Sequence, residues 1–276
     1  MKNHFSILFF FICSLSFACD CTAPNSALEF YNASYVFEGR TFSKIYARDF
    51  QTYIITFEIT KHYKDGAKPT TLSFILDSEE EYTGKSSSCD WSVESNEEWL
   101  VYAHLGNDDL LHFDGICSNS RRIDLSPIHE SDQKKLDLGN TFKIENYIYQ
   151  FEYGFTYSKP ITDVNSIIAT SKKGDYKNNF TVIKLYINKN GELQSVSSTK
   201  EFHVIYDSIF KLPIEFVSKK NIPSNDFEKE AIEIAKKIKK WEIKYHKKTK
   251  LPVAQIRNII FQYDKEKNKW SYELQK

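Results

Sequence analysis

Residues 51–63 read QTYIITFEITKHY, and their side chains alternate between two faces. One face carries Tyr53, Ile55, Phe57 and Ile59, and the other carries Ile54, Thr56, Glu58 and Thr60. A repeat of two residues is typical of a half-buried β-strand, because successive side chains of a strand point to opposite sides of the sheet. Asp65-Gly66 follows directly and is a turn signal.

Further strand-like segments lie on both sides of this stretch. They are residues 33–46, 71–76, 98–105 and 110–116. The last two predict a hairpin around Gly106-Asn107-Asp108-Asp109, and the acidic, serine-rich residues 77–88 predict a loop that leads to Cys89. Five strands within ~100 residues, followed by a helix, predict a small Greek-key barrel of the OB type.

The helix that follows the strands is predicted from its start and stop signals. Ser126-Pro127 with Glu130 indicates a helix start, with Ser126 as the cap and Pro127 at the first helical position. Gly139 ends the helix, because glycine is common directly after a helical C-terminus. We therefore expect a first domain over residues 19–138 and a second over 139–276.

The second half predicts an α+β fold, an antiparallel sheet with one packed helix. The strand-like segments are residues 141–157, 180–188, 193–198, 201–206 and 256–263. After Pro223, apolar residues recur at helical spacing, and Asn225 with Glu228 forms a capping-box pattern. The helical stripe comprises Phe227, Ala231, Ile234, Ala235, Ile238 and Trp241, and we expect Lys236, Lys237, Lys239 and Lys240 in the last turn.

The charge of the chain also divides it in two. Residues 19–128 hold 18 acidic and 9 basic side chains, whereas residues 129–276 hold 19 acidic and 27 basic ones. The net charges are therefore −9 and +8, and Lys2 brings the total to the formal net charge of zero. A neutral chain gives no overall electrostatic reason to expect nucleic acid as a partner, and the reversal of sign favours two domains.

The first 18 residues have the pattern of a secretory signal peptide. Lys2 precedes an apolar run over residues 5–17, and Ser16-Phe17-Ala18 is a small-x-small cleavage site. This run is too short to span a membrane, and no later stretch is long and apolar enough to do so. We expect a secreted or periplasmic protein that begins at Cys19. A lipoprotein signal that ends at Cys19 is the alternative, although Leu15 stands one position too early for it.

Cleavage before Cys19 leaves four cysteines, namely Cys19, Cys21, Cys89 and Cys117. An even number of cysteines in an exported chain predicts two disulfides, and four cysteines allow three ways of pairing. A zinc site would need Cys-x-x-Cys pairs or nearby histidines, which this spacing lacks. We therefore expect no cofactor and no metal site within the chain itself.

Several motifs of the first half occur together in one known family. They are Cys19-Asp20-Cys21, ASYVFEG at residues 33–39, FEITKHYK at 57–64, Cys89, WLVYA at 99–103, LLHF at 110–113 and Cys117-Ser118. With them, residues 19–128 resemble the tissue inhibitors of metalloproteinases and the wider netrin-type module. The resemblance implies disulfides Cys19–Cys89 and Cys21–Cys117, and the third disulfide of the family has no counterpart here.

The resemblance implies a function for the new N-terminus. In these inhibitors the α-amino group and carbonyl of the first residue, here Cys19, chelate the zinc of a protease, while the next residues set specificity. Asp20 would then enter the specificity pocket beside Cys21, where the family carries a small hydroxyl or apolar residue. The alternative is that Cys19-x-Cys21 is only a disulfide staple, as in netrin-type modules that inhibit nothing.

The second half carries motifs of another family. These are Phe180–Ile187, Asn190–Leu193, Ala231-Ile232, Lys240-Trp241, Lys250–Val253 and Ile256–Tyr263. With them, residues 180–264 resemble the C-terminal domain of TonB-type proteins, which binds partners by pairing an edge strand with a short segment. Neither a membrane anchor nor a proline-rich spacer precedes them, so we expect an interaction or dimerisation domain rather than an energy transducer.

Other residue types that could carry chemistry do not form a motif. The chain contains no Gly-x-Ser-x-Gly, Walker loop or His-Glu-x-x-His sequence. His104 and His112 flank the predicted hairpin and could be cross-strand neighbours, packed or on the surface rather than binding metal. The acidic run Glu79-Glu80-Glu81 predicts a solvated loop, because it lacks the alternating pattern of a calcium loop.

The sequence therefore predicts an exported binding protein rather than an enzyme. The leading hypothesis is an inhibitor-like protein whose partner is a zinc metalloprotease. The competing hypothesis is a non-inhibitory adaptor of the cell envelope, in which the first domain is a scaffold and the TonB-like domain binds an envelope protein.

Overall fold

The computed structural model describes residues 21–84, 89–149, 158–198, 202–218, 223–246 and 250–275. The chain divides into two units, residues 1–142 and 143–276. It is mainly β, with an antiparallel barrel-like sheet in the first unit and a helix on a mainly antiparallel sheet in the second.

The first unit is built on an antiparallel sheet with the order β3-β2-β1-β4-β5, and β6 also pairs with β4. Its strands are β1 (Tyr35–Tyr46), β2 (Thr52–His62), β3 (Thr71–Asp77), β4 (Glu98–Leu105), β5 (Leu111–His112) and β6 (Arg121–Arg122). The described part of this unit also contains three α-helices: α1 (Ser26–Asn32) before β1, α2 (Glu80–Thr83) between β3 and β4, and α3 (Glu130–Asp137) after β6.

This sheet curls until it is nearly closed. Bulges in β1 near Gly39 and Thr41 bend the sheet, as an extra residue in one strand does. At Gly39 a Cβ atom would lie 2.9 Å from the Glu58 carbonyl oxygen, so the bend leaves no room for a side chain. The rings of Phe74 on β3 and Phe113 after β5 meet at 4.8 Å, which brings the two edges of the sheet together.

The barrel interior is the apolar face that the sequence predicts for β2. Tyr53, Ile55 and Phe57 are fully buried. The interior also holds Phe37, Phe74, Val93, Trp99, Val101 and Phe113. A second apolar cluster lies beneath α1 and α3 and includes Phe30 and Leu136.

The start of α3 differs from the prediction. The helix begins at Glu130, and the cap is His129, whose Nδ1 accepts a hydrogen bond from the Ser131 backbone N–H. The prediction that Ser126 caps this helix and that Pro127 is its first residue is therefore wrong. A histidine nitrogen supplies the acceptor that Ser126 was expected to supply. The helix ends at Asp137 with Leu138 as its C-cap, so Gly139 follows the helical end directly, as predicted, and begins a short 3-10 turn.

Two segments of the first unit differ from the prediction, one being a shorter strand and the other a loop that contains a helical turn. The strand expected over residues 110–116 is paired only at Leu111–His112, because Asp114 turns the chain by accepting hydrogen bonds from the N–H groups of Ile116 and Cys117. The loop expected over residues 77–88 contains the short helix α2.

The second unit has a main sheet with the order β12-β13-β8-β9, in which β13 also pairs with β7 and β14. Its strands are β7 (Ile148–Tyr149), β8 (Phe180–Ile187), β9 (Leu193–Ser198), β10 (Phe202–Tyr206), β11 (Pro213–Ser218), β12 (Lys244–Tyr245), β13 (Pro252–Asp264) and β14 (Lys269–Leu274). Its helices are α4 (Val164–Ala169) and α5 (Asp226–Lys237). The strands β10 and β11 form a separate hairpin.

The predicted helix after Pro223 is confirmed as α5, which covers one face of the main sheet. The Asn225 side chain accepts a hydrogen bond from the Glu228 N–H, as the capping pattern predicts, whereas the Glu228 carboxylate binds the N–H and hydroxyl of Ser224. The helix ends at Lys237, so Trp241 lies beyond it, in a bridge with Pro160. Trp241 is nevertheless buried in the same core, and only Lys236 and Lys237 lie in the last turn.

Several elements of the second unit differ from the prediction. Instead of one strand over residues 141–157, the chain forms a 3-10 turn at Ile144–Asn146 and the two-residue strand β7, parallel to β13; residues 150–157 lie outside the described part. The strand expected over residues 256–263 extends to Pro252–Asp264. The elements α4, β11, β12 and β14 were not predicted, nor were α1 and β6 of the first unit.

Candidate functional site

The site predicted from the sequence is the disulfide-linked N-terminus, and the structure describes it from Cys21 onward. A disulfide joins Cys21 to Cys117, with the two Cα atoms 5.5 Å apart and a sequence separation of 96. This is the pairing that the family resemblance implies. Cys89 is also disulfide-bonded, while Cys19 and Asp20 lie outside the described residues.

The loop that carries Cys117 is held by the side chain of Asp114. Its Oδ1 accepts hydrogen bonds from the N–H groups of Ile116 at 2.6 Å and Cys117 at 2.8 Å. The Ser118 hydroxyl donates to the Asp114 carbonyl and accepts from the Ser120 N–H. The cysteine that anchors Cys21 therefore belongs to a tightly bonded turn.

The segment after Cys21 is fixed to the same loop. The Asn119 side-chain amide donates to the Pro24 carbonyl at 2.9 Å and to the Glu29 carboxylate. Glu29 is buried in α1, and it also accepts from the Asn119 backbone N–H at 2.8 Å. Residues 21–24 are exposed, yet a disulfide holds one end and a hydrogen bond the other. The structure thus presents an exposed segment with fixed ends.

The second cysteine segment lies directly beside the first. A Cβ atom on Gly115 would lie 2.4 Å from the ring of Trp91, so the backbone at Gly115 packs flat on that indole. Trp91 also contacts Phe113 at 5.2 Å between ring centres. Cys89 is two residues before Trp91 and Cys117 two residues after Gly115. We call residues 21–24, 89–92 and 114–117 the cysteine rim.

An acidic cavity of about 270 Å³ opens at the cysteine rim. The described residues that line it include four carboxylates and no basic side chain. They are Asp77, Ser78, Glu79, Glu80, Cys89, Asp90, Trp91 and Ser92. The described lining of this cavity is therefore acidic, in agreement with the acidic balance of the first half.

One of the cavity carboxylates is paired with a lysine that the sequence analysis did not single out. Lys44 on β1 binds Glu79 and, at 2.8 Å, Glu94. Burial alone lowers the pKa of Lys44, but the hydrogen bonds to Glu79, Glu94 and Tyr46 outweigh it and raise this pKa above its ordinary value. Glu79 of the acidic run is therefore an ion-pair partner, which corrects the expectation of a solvated loop.

Aromatic side chains surround this ion pair. The Lys44 ammonium lies 4.4 Å from the centre of the Tyr53 ring, and burial raises the pKa of the Tyr53 hydroxyl to about 12. The Tyr53 hydroxyl accepts a hydrogen bond from the Val93 N–H at 2.9 Å. This bond fixes the segment that leads from the cysteine rim to β4. Phe50 stacks on Tyr82 at 5.6 Å, and both rings are nearly half exposed.

The two histidines that flank the predicted hairpin lie opposite each other. His104 on β4 and His112 on β5 are direct cross-strand partners. His112 Nε2 lies 2.9 Å from the Asp108 carboxylate, and His104 Nε2 lies 3.6 Å from that of Glu29. Within the described ranges, no group of three or more His, Cys, Asp or Glu side chains is arranged to hold a metal ion.

Comparison of the sequence with known families and proteins gave no match. No protein-family model matches the chain, and no curated protein shows significant similarity to it. Among the residues that the structure describes, none of the helices has the length and apolar character that crossing a bilayer requires. The disulfide itself fits an extracellular or periplasmic protein, because such bonds persist in oxidising compartments.

Proposed function

We propose that this chain is an exported, inhibitor-like protein that binds a zinc metalloprotease through the cysteine rim. A signal peptide that ends at Ala18 would expose the α-amino group of Cys19, two residues before the Cys21–Cys117 disulfide. The observation that carries this proposal is the anchored, exposed segment at residues 21–24. On this account the protein binds its partner and catalyses no reaction.

The chemistry of the proposal requires a free N-terminal amine. The catalytic zinc of a metalloprotease keeps one coordination position open. An α-amino group has a pKa near ~8, so zinc displaces its proton close to neutral pH, and the carbonyl of the same residue completes a chelate. An acylated amine, or one moved by an added residue, would not fit that position.

The fixed rim supports this role because it lowers the cost of binding. A flexible N-terminus would lose conformational freedom when it entered a protease cleft. Here the Cys21–Cys117 disulfide and the Asn119–Pro24 hydrogen bond hold the segment before any partner arrives. The close packing of Gly115 on Trp91 sets the spacing between the two cysteine segments.

Asp20 would determine which proteases are bound. Its carboxylate would enter the specificity pocket, and a buried carboxylate without a partner costs several kcal/mol. The acidic cavity beside Cys89 adds negative charge at the same rim. We therefore propose a partner whose specificity pocket or cleft edge is basic or polar.

A titration of zinc endopeptidases with three proteins tests this function. The exported wild type is expected to slow at least one enzyme, and an added N-terminal Ala is expected to abolish the effect without changing the fold. Asp20→Thr is expected to improve binding to enzymes with apolar pockets by ~1–3 kcal/mol. Inactivity of all three proteins, or equal activity of the extended form, would refute zinc chelation by Cys19.

The second candidate function is the envelope adaptor, and an edge of the second unit favours it. In the described part of the chain, β14 pairs with β13 on one side and with no strand on the other. An unpaired edge offers main-chain groups to an extended partner segment. A photo-crosslinking residue at Ser271 or Glu273 should then capture one discrete envelope protein, whereas the same residue at Lys229 on α5 should not.

A further inference from the structure

A cavity of about 510 Å³ lies in the second unit, between α4 and the turn that joins β13 to β14. Its volume falls in the range of small-molecule sites, which is ~300–1,000 Å³. It is independent of the cysteine rim, because every residue that lines it belongs to residues 143–276. The protease proposal assigns it no role.

The opening of this cavity carries positive charge and hydrogen-bond donors. Lys173, Lys267 and Lys269 line it together with Asn165 and Asn268, and none of the described lining residues is acidic. Lys267 pairs with Asp264 at 3.1 Å. Neither Lys173 nor Lys269 forms an ion pair with any described residue, so two ammonium groups at the opening lack a carboxylate partner.

The asparagine at the turn is oriented by a buried neighbour. The Tyr263 hydroxyl donates to the Asn268 side-chain oxygen, and Asn268 adopts φ +50° in the left-handed region. With its oxygen occupied, the Asn268 amide nitrogen remains as a donor. Asparagine tolerates this backbone conformation better than most residues, which explains its position in the turn.

A smaller, apolar part of the lining, called the floor here, lies next to the core. Ile168, Ala169 and Trp270 contribute to it. Trp270 is only 2% exposed, its ring stacks on Phe227 at 4.8 Å, and its indole N–H donates to the Lys172 carbonyl at 2.8 Å. The small part of the Trp270 ring that lines the cavity is therefore held in place by the core, and ammonium groups line the same cavity.

From this arrangement we propose that the cavity binds a small molecule or chain end that carries an oxyanion on an apolar, preferably aromatic, body. The ammonium and amide groups complement a carboxylate or phosphate, and the Ile168–Trp270 floor complements the apolar body. An oxyanion of this kind occurs both on free metabolites and at the C-terminus of a peptide, so the chemistry is shared between the two sources.

The test uses the exported full-length protein and follows the Trp270 indole N–H signal by NMR. The probes are phenyl phosphate, inorganic phosphate, benzyl alcohol, and a short peptide that ends in Phe, with either a free or an amidated C-terminus. Phenyl phosphate is expected to bind saturably, more tightly than phosphate, whereas benzyl alcohol should not. Tighter binding of the free-acid peptide would point to a chain end, and tighter binding of phenyl phosphate to a free metabolite.

Variants with the same charge change inside and outside the cavity test whether the probe binds there. Lys173→Gln with Lys269→Gln is expected to weaken phenyl phosphate binding about tenfold, since two exposed charge contacts are removed. Lys229→Gln with Lys239→Gln makes the same charge change outside the cavity and should leave binding unchanged. Ala169→Leu fills the floor without altering charge and should abolish binding. Absence of saturable binding at millimolar probe, or equal binding by all variants, would overturn the proposal.

Discussion

The two units of this protein are stabilised in different ways. In the first, a disulfide ties Cys21 to Cys117, whereas residues 143–276 contain no cysteine. The second packs α5 on its sheet through a large apolar cluster in which Trp270 contacts Phe227, Tyr176 and Tyr263. Both units also bury polar side chains and pack apolar clusters, so the difference between them is the covalent cross-link of the first.

This difference bears on where the candidate sites lie. In the first unit, the bonds that fix Cys117, Asn119 and Glu29 also fix the exposed segment after Cys21, so stability and the proposed binding edge share the same contacts. In the second unit, the floor of the cavity is part of the core itself through Trp270. Changes to the two units should therefore have separable consequences.

Loss of the Cys21–Cys117 disulfide should have the largest effect, and it should be confined to the first unit. Replacing both cysteines by Ser is expected to lower the free energy of unfolding of this unit by ~4–5 kcal/mol, because the bond closes a loop of nearly a hundred residues. Hydrogen exchange read peptide by peptide along a urea series would measure it. An equal loss of protection at β8 and β13 would contradict separate stabilisation.

Phe227→Ala is the corresponding change in the second unit. Phe227 is 1% exposed and stacks on Trp270, so its removal should cost ~4 kcal/mol through lost burial and the cavity left behind. The same hydrogen-exchange series should show β8 and β13 weakened while β1 and β2 are unchanged. Phe227→Leu is the control that retains most of the volume and should cost less.

A smaller effect is expected at the start of α5. Asn225→Ala removes the acceptor for the Glu228 N–H and should destabilise the second unit by ~1 kcal/mol. Asn225→Asp keeps the acceptor and should be close to neutral. Chemical denaturation monitored by Trp fluorescence measures both, and an alanine variant as stable as the wild type would show that Ser224 and Glu228 cap the helix without Asn225.

The smallest effect concerns pH and the first unit. Partial burial raises the pKa of Glu79, but hydrogen bonds from Lys44, the backbone and Tyr46 lower it, and the net pKa lies below the ordinary value of 4.5. A lowered folded-state pKa means that the stabilisation is complete above about pH 4.5 and is lost as the pH falls through the folded-state value. Because the pair is partly solvated, its contribution should not exceed ~1 kcal/mol.

Glu79→Gln should therefore flatten the loss of stability of the first unit below pH 4.5, measured by urea unfolding from pH 7 to pH 3. Glu80→Gln, one residue along and exposed, is the matched control and should leave the slope as in wild type. Identical slopes for Glu79→Gln and wild type would show that the Lys44 pair contributes nothing measurable.

Local patterns in the sequence predicted the long elements with a clear periodicity. The two-residue alternation of β2 and the apolar stripe of α5 with its Asn225 cap are short-range signals, and the structure confirms both. The number and order of these elements predicted a barrel-like first half and a helix packed on a sheet in the second half, and the structure has both. The predicted function stays a prediction.

Other features were not predicted, either because they depend on residues that are distant in the sequence or because they use an uncommon residue type. Lys44 meets Glu79 and Glu94 only after three segments fold together, so no local pattern marks it. A histidine cap for α3 is uncommon, and α1 is too short for its periodicity to stand out. The strand β14 did carry a signal, since Trp270, Tyr272 and Leu274 alternate with polar residues, but it follows a charged turn and was overlooked.

The central claim, a free Cys19 anchored at the cysteine rim, is tested most directly by mapping the exported protein without reduction. Intact mass and N-terminal peptide analysis would locate the first residue, any acyl group, and the partner of Cys89. The account predicts that the chain begins at an unmodified Cys19 linked to Cys89, with Cys21 linked to Cys117. A lipid on Cys19, a different first residue, or a free Cys19 thiol would contradict it.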